Sequence, residues 1–164
     1  MEDIKSRLIA AMEAYFGDDQ KRIRHAKAVT GYVEQLMEPA NNYDVCIAAG
    51  VLHDIGIHEA ERKHHSNAGK YQEMEGPGVA RPILQSLGFP EDKTAEICEI
   101  IAHHHTPGKV KTADFQVLYE ADWLVNLKDD NDIRDKVKLA KIIIKVFQTS
   151  KGQALARKIY LNQA

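Results

Sequence analysis

The sequence predicts a single all-α domain, and three observations lead to this prediction. Apolar residues recur at helical spacing along most of the chain, beginning with Ile4, Leu8, Met12 and Phe16. No segment shows a convincing strand-like alternation of apolar and polar residues. The 164 residues contain no repeat, low-complexity tract or linker that would separate two domains. We therefore take residues 1–164 as one helical unit.

The first three predicted helices are bounded by residues that are typical of helix ends. The first helix stops at Gly17, and Asp18 or Asp19 is the expected cap of the second. The second helix continues until Pro39 prevents its extension. Asp44 is the expected N-cap of the third helix, the apolar segment "VCIAAGVLHDIG".

The later elements are separated by polar stretches and by proline or glycine. Residues 58–70 are polar and lack periodicity, which favours a loop or a short broken helix. Helicity resumes in "YQEMEGPGVARPILQSLG" and again after Pro90, as far as about residue 104, before the Pro107-Gly108 stop. Further helices are expected at about 113–128, 133–148 and 151–162.

The composition argues against several classes of protein. The 22 basic and 24 acidic side chains leave a net charge of −2, which disfavours a binder of long nucleic acid or of an anionic membrane. The apolar runs are too short to span a bilayer, and the acidic start is unlike a signal peptide. Cys46 and Cys98 stand apart in apolar helical contexts, which predicts reduced core thiols. We therefore expect a cytoplasmic protein.

Five ionisable residues are predicted to point into the core. His25 lies one turn before Val29, and Asp122 lies one turn after Leu118, so both are in phase with apolar stripes. The complete set is His25, His53, Asp54, His104 and Asp122. Any one of them alone is more often a hydrogen-bonded core residue or a helix cap. Several buried carboxylates together would be too costly without a cation, and imidazole with carboxylate suits zinc, manganese, iron or cobalt.

Four segments of the chain, in this order, resemble the HD superfamily of metal-dependent phosphohydrolases: "RIRHAKAV", "AAGVLHDIG", "IIAHHHTPG" and "YEADWLVNL". They span residues 22–127, and the C-terminal helices at 133–162 follow this core. The resemblance implies an all-helical domain of the HD type in which four residues bind one divalent ion at roughly 2.0–2.3 Å. These residues are His25, His53, Asp54 and Asp122. The ion would be manganese, iron, cobalt, zinc or magnesium.

Some members of the superfamily bind a second metal through additional histidines. The resemblance places one of these four residues before Gly76, where this chain has Gln72. Glu75 is the candidate substitute, and its alternative interpretation is a surface glutamate near a helix start. His104 is the expected histidine ligand of the second ion, with His103 as the second choice.

The resemblance also implies residues that act on the substrate. Many relatives have an arginine three positions before the first histidine that contacts phosphate, and here this is Arg22; a solvent-exposed arginine at a helix start is the alternative. Lys70 and Lys109 are further candidates for phosphate binding, and Asp54 is the expected catalytic residue. The expected reaction is hydrolysis of a phosphomonoester, a phosphodiester or a nucleotide phosphoanhydride of a small molecule.

Two other functions stay open at the level of sequence. A few relatives are di-iron oxygenases, and degenerate HD domains serve as metal-stabilised sensors or binding modules. Ile57 stands where some members have a catalytic lysine, and the Gly-Tyr-Pro signature of the cyclic-dinucleotide hydrolases is absent. These two departures disfavour the subfamily that uses the lysine and the cyclic-dinucleotide hydrolases. The four expected metal ligands are all present in the sequence.

Overall fold

The computed structural model describes residues 2–129 and 131–163, and these residues form helices without any β-strand. The α-helices are α1 Ile4–Phe16, α2 Gln20–Leu36, α3 Tyr43–Leu52, α4 Ile57–His64, α5 Gly69–Ser86, α6 Glu91–His103, α7 Ala113–Asn126, α8 Lys136–Val146 and α9 Ser150–Tyr160. Two short 3₁₀ helices, Leu127–Asp129 and Asn131–Arg134, lie between α7 and α8. The predicted all-α class is confirmed. Residues 1 and 164, the ends of the predicted domain, lie outside the described residues.

Helix α3 lies at the centre of the domain. Every residue from Val45 to Leu52 is buried, and the helix packs against α1, α2, α6 and α7. A helix that is surrounded in this way needs apolar side chains on all of its faces, so it lacks an amphipathic stripe. The turn that follows α3 is consequently held inside the protein, and this turn contains His53 and Asp54.

The boundaries of α3 and α4 differ from those that the sequence predicts. Asn42 caps α3 in place of Asp44, and α3 ends at Leu52 rather than near Gly56. Helix α4 forms at Ile57–His64, where a loop or short broken helix was predicted, and it ends at His65 in the left-handed conformation (φ 54°). Helix α4 contains few apolar residues, but it buries Ile57 and Ala60 and packs against α5.

Two glycines allow α4 and α5 to approach each other closely. A Cβ atom on Gly56 would lie 2.5 Å from the backbone nitrogen of Gly76. Real Cβ atoms do not come this close to a backbone atom, so any side chain at position 56 would separate the helices. The contact keeps the turn after α3 against the first half of α5.

A buried glutamate joins α7 to the C-terminal helices. Glu120 is fully buried, and its Oε2 accepts hydrogen bonds from the backbone nitrogens of Gln148 (3.0 Å) and Thr149 (3.1 Å). Its Oε1 accepts a hydrogen bond from the Thr149 hydroxyl at 2.6 Å. Because α7 also carries Asp122, the segment between α8 and α9 is tied to a helix that contributes to the site described below.

The cysteines agree with the expectation of core thiols. Cys46 and Cys98 are both buried and form no disulfide. Burial raises the pKa of each thiol, with a further contribution from Asp114 at Cys46, so both thiols are held protonated and unreactive. None of the described helices has the length and apolar character needed to cross a membrane.

Candidate metal centre

Three separate parts of the chain bring four ionisable side chains together. His25 comes from the first half of α2, Asp122 from the second half of α7, and the adjacent His53 and Asp54 from the turn after α3. Helix α2 packs against both α3 and α7, which brings the three segments to one point. We call these four residues the quartet.

The polar atoms of the quartet are separated by distances that suit one metal ion. Nε2 of His25 lies 3.2 Å from Nε2 of His53, 3.3 Å from Asp54 Oδ2 and 3.2 Å from Asp122 Oδ1. Nε2 of His53 lies 3.4 Å from each of the same two oxygens. Atoms about 2.1 Å from one ion are about 3.0 Å apart at a right angle and about 3.4 Å apart at the tetrahedral angle. His25, His53 and Asp54 could therefore hold a divalent ion with little movement, and Asp122 lies beside both of these imidazoles.

Hydrogen bonds to the backbone orient two of the imidazoles around Asp54. Nδ1 of His53 donates to the carbonyl of Gly50 at 2.8 Å, and Nδ1 of His104 donates to the carbonyl of Ile101 at 2.7 Å. In the neutral form of each ring the proton is then on Nδ1, and the lone pair of Nε2 is available to an ion. In the doubly protonated form Nε2 instead donates a hydrogen bond to Asp54. This pattern of support from the backbone is typical of histidines that bind metals.

The buried acids and imidazoles stabilise each other's charged forms. Burial alone would raise the pKa of Asp54, but the charge of His53 and the hydrogen bond from His104 hold it well below its usual value. Burial opposes a charge on His53, yet the carboxylates of Asp54 and Asp122 raise the pKa of this imidazole well above its usual value. The two buried carboxylates therefore favour a positive charge beside them. A bound divalent ion would replace the extra protons on the imidazoles.

A second group of potential metal ligands, Asp54, His104 and His105, adjoins the quartet and shares Asp54 with it. We call it the second group of donors. Oδ1 of Asp54 lies 3.2 Å from Nε2 of His104, whereas its Oδ2 faces His25 and His53. Polar atoms of Asp54, His104 and His105 all lie within 4.8 Å of one another. Asp54 therefore presents one oxygen to each group, as a carboxylate that bridges two ions would do.

The structure does not bring Glu75 or His103 to this second group. The Glu75 carboxylate is 2.9 Å from Lys63 Nζ and 2.9 Å from His64 Nε2, because this face of α5 packs against the basic end of α4. His103 faces outward, with Nε2 3.5 Å from Glu99. Helical phase favoured His104 over His103 as a ligand. Because α6 ends at His103, helical phase does not predict where the side chain of His105 lies.

A cavity of about 300 Å³ opens beside the quartet. Apart from quartet members, its lining includes Lys21, Arg22, Asn67, Gln72 and Asn126. Of these, only Arg22 was predicted to be a substrate-binding residue. Asn126 follows Asp122 by one helical turn, so helical phase could have identified it, whereas nothing in the sequence marks Asn67, which lies between α4 and α5.

The two lysines predicted to bind phosphate lie elsewhere. Lys70 and Lys109 are both exposed and do not line the cavity, and Lys70 Nζ lies 4.8 Å from the centre of the Tyr71 ring. Lys21 is the lysine that reaches the cavity, because it directly precedes Arg22 in the first turn of α2.

Neighbouring acids orient the guanidinium of Arg22. Asp19 caps α2 by accepting the backbone N–H of Arg22, and its Oδ2 lies 3.4 Å from Nη1 of the same residue. Glu61 lies 3.7 Å from the other terminal nitrogen, Nη2. Nε2 of His58 donates to Asp19 at 2.7 Å and so fixes the acid that holds the arginine.

Comparison with family models identifies a domain in this chain. The family model described as HD domain matches residues 22–142, which include the whole quartet and extend into α8. No curated protein and no solved structure matches the chain significantly.

Proposed function

Because the chain belongs to the HD domain family, whose members are mostly metal-dependent phosphohydrolases, we propose that it hydrolyses a phosphate ester or phosphoanhydride of a small molecule. We assign the quartet of His25, His53, Asp54 and Asp122 as the ligands of one divalent ion. The main support is that Nε2 of His25 and Nε2 of His53 lie 3.2–3.4 Å from each other and from an oxygen of each carboxylate. Manganese, iron, cobalt, zinc and magnesium are the candidates for the ion.

Different residues around the cavity would carry out different parts of the proposed reaction. A divalent ion in the quartet would supply a Lewis acid that activates water near neutral pH and polarises a phosphoryl oxygen. Arg22 and Lys21 would offset the charge of the phosphate, and the two-pronged guanidinium suits its oxygens. Asp54 is the proposed catalytic residue, because its two oxygens face both groups of donors and can orient the attacking water.

A small substrate suits the dimensions and charge of the protein. The cavity of about 300 Å³ accommodates a phosphorylated metabolite or a nucleotide, and the net charge of −2 provides no general attraction for long nucleic acid or an anionic membrane. We further propose a cytoplasmic location, in which the thiols of Cys46 and Cys98 stay reduced.

The metal content of two variants tests the ligand assignment. We expect about one tightly bound ion per chain in the wild type and in His104→Ala, because the quartet is intact in both, and almost none in His53→Ala. Activity of His104→Ala should be reduced rather than erased. Elemental analysis after anaerobic purification measures the stoichiometry, with His65→Ala, an exposed histidine, as the matched control. If His104→Ala loses all of its metal, the two groups form one cooperative site and the assignment of a single tight ion is wrong.

Variants of Arg22 and Asp19 test the phosphate contact. Loss of a charge-assisted hydrogen bond costs about 1.5–3 kcal/mol, so Arg22→Ala should raise KM for a phosphate ester by about 10-fold or more. Asp19→Asn should raise KM less, since the arginine remains but loses part of its orientation. Arg24→Ala removes an exposed arginine of the same helix and should leave KM unchanged. Equal effects of Arg22→Ala and Arg24→Ala would contradict a specific role for Arg22.

The second group of donors favours one alternative function. A di-iron oxygenase needs two adjacent metal sites, and Asp54, His104 and His105 offer donor atoms beside the quartet. Gln72, in the place of a family histidine, contributes an amide oxygen 3.3 Å from His105 Nε2. A neutral amide is a weak ligand for iron, and for this reason hydrolysis is the preferred proposal.

A further inference from the structure

A second cavity, of about 260 Å³, lies against the metal centre. It is lined by His104, His105, Tyr119, Asp122, Trp123 and Asn126. Three of these residues, His105, Asp122 and Asn126, also line the cavity beside Arg22. The two cavities therefore meet at the metal centre, and a ligand bound there could extend into both of them.

Aromatic side chains of α7 form one wall of this second cavity. Tyr119 and Trp123 are one helical turn apart and flank Asp122 in the sequence, and both are half-buried. Their ring centroids are 6.5 Å apart with an interplanar angle of 64°. Phe115 stacks on Tyr119 at 5.8 Å and 16°, which limits the movement of the tyrosine ring. The wall is thus a fixed aromatic surface beside the metal centre.

Charge distinguishes the two cavities from each other. Lys21 and Arg22 line the first cavity, whereas no lysine or arginine of the described chain lines the second. A phosphate group is therefore better placed in the first cavity. The second cavity suits an uncharged group with a flat face, and the amide of Asn126 offers both a donor and an acceptor to the polar edge of such a group.

We propose that Tyr119 and Trp123 bind the leaving group of the substrate and select phosphate esters whose leaving group carries a planar aromatic ring, as a nucleoside does. This inference rests on the proposed hydrolysis for the position of the phosphate. The ring would stack on the face of one of these two side chains and contact the other, with the ester bond at the quartet and the phosphate oxygens towards Arg22. A base stacked on an aromatic side chain gains binding energy without requiring one particular base.

Intrinsic fluorescence tests the stacking without any measurement of turnover. Trp123 is the single tryptophan of the chain, so its emission reports directly on this wall. We expect adenosine 5′-monophosphate to quench the emission in a saturable manner in the presence of zinc. Ribose 5-phosphate, which has the same sugar and phosphate without the adenine base, should not quench the emission. Tyr119→Leu should raise the apparent Kd for adenosine 5′-monophosphate by about 10-fold. Tyr43 is an exposed tyrosine at the start of α3, and Tyr43→Leu should not change this Kd.

Kinetics of the same two phosphates test selectivity. Trp123→Leu should lower the ratio of kcat/KM for adenosine 5′-monophosphate to that for ribose 5-phosphate by about 10-fold, and Trp123→Phe should restore most of it, because phenylalanine keeps a flat ring. An unchanged ratio in Trp123→Leu, or equal quenching by both phosphates, would overturn the inference. Saturable quenching by adenosine 5′-monophosphate without hydrolysis of either phosphate by any metal form would support the aromatic subsite and reject the proposed hydrolysis. Hydrolysis of both without quenching would do the reverse.

Discussion

Replacement of Asp54 by alanine is expected to abolish hydrolysis of phosphate esters while the protein stays helical. The carboxylate of Asp54 faces His25 and His53 with one oxygen and His104 with the other, so its loss would remove a proposed ligand and the group proposed to orient water. An activated water and a polarised phosphoryl oxygen contribute several kcal/mol, so kcat should fall by about 1,000-fold or more. Phosphate release with added manganese, cobalt or iron measures the effect, and circular dichroism measures the helical content.

Asp92→Ala is a suitable control for this experiment. Asp92 is an exposed acid in the first turn of α6, and its loss should leave phosphate release unchanged. Residual activity of Asp54→Ala close to that of the wild type would contradict the assignment. If no phosphate ester is hydrolysed by the wild type with any metal and the ferrous protein consumes oxygen, the oxygenase alternative is correct.

Replacement of Glu120 by alanine is expected to cause a large loss of stability. Glu120 is fully buried, and alanine would leave the backbone N–H groups of Gln148 and Thr149 without their acceptor. Each lost hydrogen bond to a carboxylate costs about 1.5–3 kcal/mol, and Glu120 accepts several of them, so the free energy of unfolding should fall by about 3 kcal/mol or more. For a domain of this size, this corresponds to a Tm lower by about 6–12 °C. Urea and thermal unfolding followed by circular dichroism measure both quantities.

Gly152→Ala tests the packing around Glu120 from the side of α9, and Gly78→Ala is its control. The Cβ of alanine at position 152 would overlap the Glu120 carboxylate, so Gly152→Ala should also destabilise the protein. Gly78 lies within α5, and no neighbouring atom lies within 4 Å of the place that an alanine methyl group would occupy. Gly78→Ala should therefore raise the free energy of unfolding by up to about 1 kcal/mol. If Gly152→Ala is as stable as Gly78→Ala, the junction between α8 and α9 does not depend on the packing around Glu120.

Apolar patterning in the sequence predicted the burial of the side chains that meet at the candidate metal centre. His25 and Asp122 each share a face with apolar residues, and both faces turn toward α3, the most buried helix of the domain. The side chain of His53 is fully buried and that of Asp54 is only 18% exposed, as the apolar segment before them indicated. The assignment of the four residues as metal ligands stays a prediction, which the variants above test.

The residues around the quartet were harder to predict, because their positions depend on where helices end and which neighbours they meet. His105 reaches the second group only because α6 ends two residues earlier. Glu75 lies one turn after Gln72 in α5, but Lys63 and His64 of α4 bind its carboxylate. No property of the local sequence around Glu75 or His105 contains this information.

The sequence by itself determined the all-α class, the order of the elements and the chemical character of the quartet. These features depend on apolar periodicity, helix-capping residues and the cost of burying charge, which act over a few turns of chain or on single residues. Only the tertiary structure decided that Asp54 faces His104 and His105, that Lys21 rather than Lys70 reaches the cavity, and that Tyr119 and Trp123 border the candidate metal centre. Such relations join residues that are far apart in the chain, and they depend on the rotation and the end point of each packed helix.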